Sequence, residues 1–178
     1  MSIDPGVSDT PDGPGRTEPT PAPRHHGQPT GGRILVGLDD SDQAAAALRW
    51  ALVEGVLRQT TVEVVHAWSP PLSALPFGAT LVIPVDESEI DAAARASVDE
   101  IVDAALAEMD EAPPEVLRTV LPGSPSATLV ELSEGADLLV MGSHGRTGLR
   151  RMVLGSVAMA CVNHASCPVV VVRHPESE

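Results

Sequence analysis

The chain has no lysine and no tyrosine, only two cysteines, and aromatic side chains make up just 2% of its 178 residues. Each shortage excludes something. Without lysine, a P-loop of the form G-x-x-x-x-G-K-[ST] has no cation to offer a phosphate. Cys161 and Cys167 are too few for a disulfide framework, and no metal-ligating partners stand at useful spacing. Both read as small core or near-core residues rather than redox groups. No apolar run approaches the roughly eighteen residues of a membrane span. The N-terminal stretch lacks the basic-then-apolar layout of a secretory signal, so the expected address is the cytoplasm. Positive charge is scarce as well: 11 arginines face 25 acidic residues, a formal net charge of −14. That balance argues against binding nucleic acid by bulk charge and against adsorption to anionic membranes. It leaves room for one small anion held at a local site.

What is present divides in two. Residues 1–32 hold seven prolines and six glycines with almost no large apolar side chains, a composition that cannot offset its own ordering entropy. This stretch is expected to be a disordered extension, followed by a single domain over 33–178. The pair His25–His26 reads either as the beginning of a metal site or as tail composition, and no further ligands accompany it.

From Arg33 the pattern is regular. Ile34-Leu35-Val36-Gly37-Leu38 is a buried strand ending in the polar turn Asp39-Asp40-Ser41-Asp42. Ser41 or Asp42 then caps a helix over 43–58, with Leu48, Leu52, Val53 and Val56 on one side. Residues 61–68 (TVEVVHAW) are β-branched and predict a second strand. The proline-rich stretch 69–86 reads as a long irregular connection. Asp86 or Ser88 opens a long amphipathic helix to about residue 110, stopped by Pro113 and Pro114. A third strand is predicted over 116–121, a short helix over 126–134, and a fourth strand over 137–142. A small-residue helix over 156–164 and an apolar strand over 168–173 complete the alternation. Strands apolar on both faces and separated by helices imply a five-stranded parallel sheet covered on both sides, a Rossmann-like three-layer α/β sandwich. In such sheets ligands bind beyond the carboxyl ends of the strands, which directs attention to 37–42 and 142–156.

The second of these carries the chemistry. Gly142-Ser143-His144-Gly145-Arg146-Thr147-Gly148 follows a strand directly, and Gly155-Ser156 opens a helix whose first amides and positive dipole end suit a phosphate. No acidic residue occurs between Asp137 and Glu176, whereas Arg146, Arg150, Arg151 and Arg173 all do. Arginine forks match phosphate oxygens well. A solvated surface loop with incidental arginines is the competing reading.

The spacing Gly142-x2-Gly145-x9-Gly155-Ser156 resembles the G-2x-G-9x-G-[ST] signature of the ATP-binding branch of the universal stress protein family. Further landmarks are similar in order: Val36-Gly37-Leu38-Asp39-Asp40-Ser41, Val64-Val65-His66-Ala67, Gly123-Ser124-Pro125 and Cys167-Pro168-Val169-Val170. Together they cover 33–173. The resemblance implies ATP binding at the strand ends. Gly37, Leu38 and Asp39 would line the adenosine side, with Asp39 near the ribose or near Mg2+ or Mn2+ on the phosphates. Ala67 would touch adenine, and Met141 and Gly142 would pack beside base and ribose. Gly145, Gly155, Ser156 and Val157 would hold the phosphates, and Arg146, from the acid-free loop, is the further cofactor-binding candidate. It also implies a homodimer through 168–173. Asp40 departs from the family's usual glycine.

Competing readings stand beside these. Asp39 and Asp40 are either a metal-binding pair or an ordinary strand-to-helix turn. His66 reads as a hydrogen-bonded structural residue and His144 as a candidate phosphate contact. Two functional classes follow: a nucleotide-responsive stress regulator with a protein partner, or a slow ATP hydrolase or adenylate-transferring enzyme using the same cavity. The absence of a P-loop lysine and of an evident general base favours the regulator.

Overall fold

The computed structural model describes residues 32–69, 72–74, 80–82, 86–145 and 154–173. The expected disordered extension, with His25 and His26, lies outside them apart from Gly32. The main elements are β1 (Arg33–Gly37), α1 (Asp42–Arg58), β2 (Thr61–Trp68), α2 (Glu87–Ala107) and β5 (Val116–Pro122). They continue with α3 (Pro125–Leu132), β6 (Leu138–Gly142), α4 (Ser156–His164) and β7 (Val169–Val172). A short antiparallel hairpin, β3 (Leu72–Ala74) with β4 (Thr80–Val82), falls between β2 and α2. Within the stretch expected to be an irregular connection, residues 72–74 and 80–82 thus pair as strands. Two three-residue strands among prolines leave no legible period, which is why the pattern hid them.

The five longer strands form one sheet in the order β5-β2-β1-β6-β7, every pair parallel. The expected Rossmann-like sandwich is the observed one. Ile34, Leu35 and Val36 are all fully buried, because each face of the sheet is covered by helices. Even-numbered β1 residues Ile34 and Val36 join Val62, Val64, Leu138 and Val140 in the core beneath α1 and α2. The opposite parity, Leu35 with Val65, Leu139 and Met141, packs under α3 and α4. Leu48 and Leu52 anchor α1 as expected, but Val53 does not: it is 56% exposed, along with Leu57 and Trp50 on the outer side of the helix. The alanines Ala44, Ala47 and Ala51 take the inner stripe instead, letting the helix approach the sheet closely.

At the amino end of the sheet lies a buried ion pair. Arg33 Nη1 donates to Glu63 Oε2 at 2.5 Å, and its Nη2 donates to the Leu132 and Glu134 carbonyls at 2.7 and 3.3 Å. Thr119 Oγ1 donates to the other oxygen of Glu63 at 2.8 Å. The guanidinium thus closes the carboxyl end of α3 while pairing a charge in the middle of β2, where helix carbonyls favour a cation.

Candidate ligand-binding site

The crossover direction reverses between β1 and β6: β2 and β5 lie on one side of β1, and β6 and β7 on the other. A crevice opens at the carboxyl ends at such a switch point. Here it is a cavity of about 880 Å³, within the size range of small-molecule sites.

Its floor is made by the ends of β1 and β6. Gly37 pairs in register with Met141 on one side and Val65 on the other. Gly142 has no room for a side chain, since a Cβ there would lie 2.9 Å from the Gln43 backbone in the first turn of α1. The turn after β1 is held by its own side chains. Asp39 Oδ1 accepts from the Ser41 amide at 3.1 Å and from Ser41 Oγ at 2.5 Å, while Ser41 caps α1 by accepting from Ala44 N–H. The other Asp39 oxygen occupies the space a Cβ on Gly145 would take, so the first strand's carboxylate and the glycine turn after β6 are in direct apposition.

The ends of the long loop after β6 are tied together. Ser143 N–H donates to the Val172 carbonyl at 2.9 Å, and Gly155 N–H donates to the Ser143 carbonyl at 2.7 Å. Ser143 Oγ also bonds Gln43 Oε1 at 2.7 Å and His144 Nδ1 at 3.1 Å. This knot aims α4 at the cavity. Gly155 is the N-cap of α4 in extended conformation, with no side chain capping the helix. Its first turn therefore presents amide donors and the positive end of the dipole beside Gly145.

The β2 side is open in a different way. Leu38 N–H donates to the Val65 carbonyl at 2.9 Å. In a parallel ladder the following rung would take the Leu38 carbonyl to Ala67 N–H. That carbonyl instead accepts from His66 Nδ1–H at 2.9 Å. By the alternation of the ladder, the Ala67 N–H and C=O both turn toward the space beyond β1. They form an adjacent donor and acceptor at the cavity wall.

Gly37, Leu38, Asp39, Ala67, Met141, Gly142, Gly145, Gly155, Ser156 and Val157 all line this one cavity. Arg146 lies outside the described residues, as do Arg150 and Arg151. Sequence reasoning missed the wall supplied by α2, namely Ile90, Ala93, Ala94 and Ser97, and the contributions of Trp68, Pro125 and Leu129. A signal was available: β2 is expected to outrun β1 by several residues, so the helix that follows it had to flank the open edge. Asp40, the residue at odds with the family pattern, stands at the rim and accepts from Ser97 Oγ at 3.3 Å. It links the first turn to α2. Among the described residues no cluster of three or more His, Cys, Asp or Glu could hold a metal on protein ligands alone. No described helix is long and apolar enough to cross a membrane.

Comparison with known proteins agrees with this architecture. A universal stress protein of Mycobacterium tuberculosis is 33% identical over 152 residues, covering 81% of this chain and 48% of its own length. One from Mycobacterium bovis is 37% identical over 146 residues, covering 79% and 45%. The chain thus spans about half the length of these curated relatives. Among solved structures, UspA of Lactobacillus plantarum superposes with a TM-score of 0.61 at 23% identity, over 80% of this chain and 97% of its own. A universal stress protein in complex with cAMP gives 0.56 at 22% identity, over 80% and 96%. One from Archaeoglobus fulgidus in complex with dAMP gives 0.53 at 24%, over 79% and 97%. The sequence model of the universal stress protein family matches residues 31–173, and the chain belongs to that family.

Proposed function

We propose that this chain binds an adenine nucleotide, ATP in particular, in the switch-point cavity and acts as a nucleotide-responsive stress regulator. The observation that carries the reading is a convergence: the uncapped start of α4, the Gly145 turn and the open Ala67 peptide border one cavity. Solved relatives of the same fold are complexes with cAMP and dAMP, which supports the ligand class.

In this reading the phosphates lie against the amides of Ser156 and Val157 and the backbone of Gly145 and Gly155, where anions are favoured without any lysine. Arg146 adds a fork to the same oxygens. The ribose lies between Gly142 and Asp39, whose carboxylate accepts a hydroxyl. The base rests between Leu38 and Met141, its edge read by the Ala67 peptide. Mg2+ or Mn2+ on the phosphates would neutralise charge beside Asp39, whose carboxylate faces the Gly145 turn. The proposed setting is the cytoplasm, where adenine nucleotides are plentiful. Regulation acts through a protein partner that senses occupancy and through a homodimer formed along 168–173.

Denaturing the purified chain and running the supernatant on ion exchange tests for carried nucleotide, and calorimetry with ATP tests for binding. Replacing Gly145 by valine, or Gly155 and Ser156 together, is expected to abolish binding while circular dichroism stays unchanged. Unaltered affinity in both variants would mean the phosphates lie elsewhere.

A further inference from the structure

We propose that Arg173 is a specificity-determining residue of this cavity, donating to the terminal phosphate of a bound triphosphate and so favouring ATP over nucleotides with fewer phosphates. The proposal rests on the adenine-nucleotide reading above and deepens it.

Sheet order sets the direction in which a nucleotide lies. The Ala67 peptide proposed to read the base belongs to β2. Asp39 and Gly142, proposed for the ribose, stand at the ends of β1 and β6. Helix α4, whose first amides are proposed for the phosphates, packs against β7. Since the strands are ordered β2-β1-β6-β7, base, ribose and phosphates run across the strand ends toward β7. The phosphate farthest from the base is the one nearest the end of β7, and Arg173 is the first residue beyond that strand.

Two hydrogen bonds tie this point to the start of α4. The Val172 carbonyl accepts from Ser143 N–H at 2.9 Å, and the Ser143 carbonyl accepts from the N–H of Gly155, the N-cap, at 2.7 Å. The pleat gives the side. Val170 and Val172 pack toward α1 and α2, whereas Val169 and Val171 pack toward α3 and α4. Arg173 continues the second set, so its side chain leaves the strand on the face where α4 begins.

The charge there is uncommitted. Among the described residues every other arginine pairs with a carboxylate, while Arg173 is exposed and pairs with none. Neither the loop after β6 nor α4 brings it one, because no acidic residue occurs between Asp137 and Glu176. A guanidinium without a carboxylate, beside a helix start with open amides, is a fork available to phosphate oxygens. Arg173 stands just outside the enclosed lining of the cavity, which suits contact with the last phosphate rather than the first.

The experiment measures ATP, ADP and AMP by calorimetry on the full chain and on Arg173→Gln. Salt is held at about 0.3 M, which screens charges farther apart than roughly 6 Å. The substitution is expected to weaken ATP about ten-fold and ADP at most about two-fold, with AMP unchanged. A ratio of ATP to ADP affinity that the substitution leaves as it was overturns the proposal, even if both ligands bind more weakly. Sedimentation of the same two samples tests a role in the β7 edge instead: a changed mass with an unchanged ratio assigns Arg173 to that edge and refutes the phosphate contact. Equal affinity of the wild-type chain for all three nucleotides leaves the adenine-nucleotide reading standing and overturns this one. Failure to bind any of them overturns both. Should Arg173→Gln not fold, nitrogen NMR of the wild-type chain decides. ATP must shift the Arg173 Nε resonance and AMP must not, and equal shifts with both refute the assignment.

Discussion

Glu63 occupies the third position of TVEVVHAW, where its neighbours are all apolar. The structure buries it at 7% exposure with Arg33 on one oxygen and Thr119 on the other. Removing one member of such a pair leaves the other charged and desolvated, whereas replacing both with hydrocarbon is close to neutral. Glu63→Leu is accordingly expected to cost about 3 kcal/mol in urea unfolding. The double variant Arg33→Met, Glu63→Leu should recover most of that loss. Cys161 yields a second expectation. Burial pushes its thiol up from 9.0 to about 11. The unfolded chain therefore releases this proton first as pH rises. Stability tied to the thiol is complete below about pH 9 and is lost between about pH 9 and 11, at most on the order of 2 kcal/mol. Denaturation midpoints at about pH 8 and pH 10 should fall more steeply for the wild-type chain than for Cys161→Ala. Neither feature was fully legible beforehand. The cysteines read as core or near-core residues, and Cys161 is buried while Cys167 is half-buried against the same core, but a strand pattern cannot say which arginine will meet a buried glutamate, because pairing across strands depends on register.

Helix beginnings were legible because capping is local chemistry. Ser41 and Asp86 cap α1 and α2 with their own side chains, as Asp/Ser clusters before apolar periods predict. The start of α3 was expected at residue 126, yet Ser124 is its N-cap and Pro125 its first residue, a position proline favours. The hairpin β3–β4 and the outward face of Val53 escaped because short or small-residue segments carry no decisive period. Ser41 has two tasks at once: it caps α1 and donates to Asp39. Ser41→Ala should cost about 1 kcal/mol of stability and Ser41→Gly only a few tenths. Nucleotide affinity should fall in both, since Asp39 loses the hydroxyl that fixes it against Gly145. Paired urea titrations and calorimetry would separate the two effects.

At the scale of the whole molecule, alternation alone implied a parallel sheet, but not which strands neighbour which. The cavity gathers ten of the eleven site residues named from family spacing, the other lying outside the described residues. What spacing did not deliver was the α2 wall. That wall comes from a distant segment whose position is set by crossover handedness and sheet order, not by local pattern. Among the described residues the order also leaves β7 paired only with β6, its valines half-buried. An edge of this kind invites pairing with a second copy. If the proposed dimer forms there, Val170→Lys should convert it to monomer in sedimentation at micromolar concentration. An unchanged mass would place the seam elsewhere.

The direction of the strands also fixes where attachments emerge. Gly32 precedes β1 at the amino end of the sheet, while Arg173 follows β7 at the carboxyl end, beside Gly142. Five strand residues separate those ends by about 16 Å. A fluorophore or surface tether at residue 32 would therefore leave the cavity mouth facing free solvent. The same group at residue 173 would stand next to the mouth and report on what enters it. For immobilised binding assays the two attachment points are not interchangeable: one is an anchor, the other a sensor.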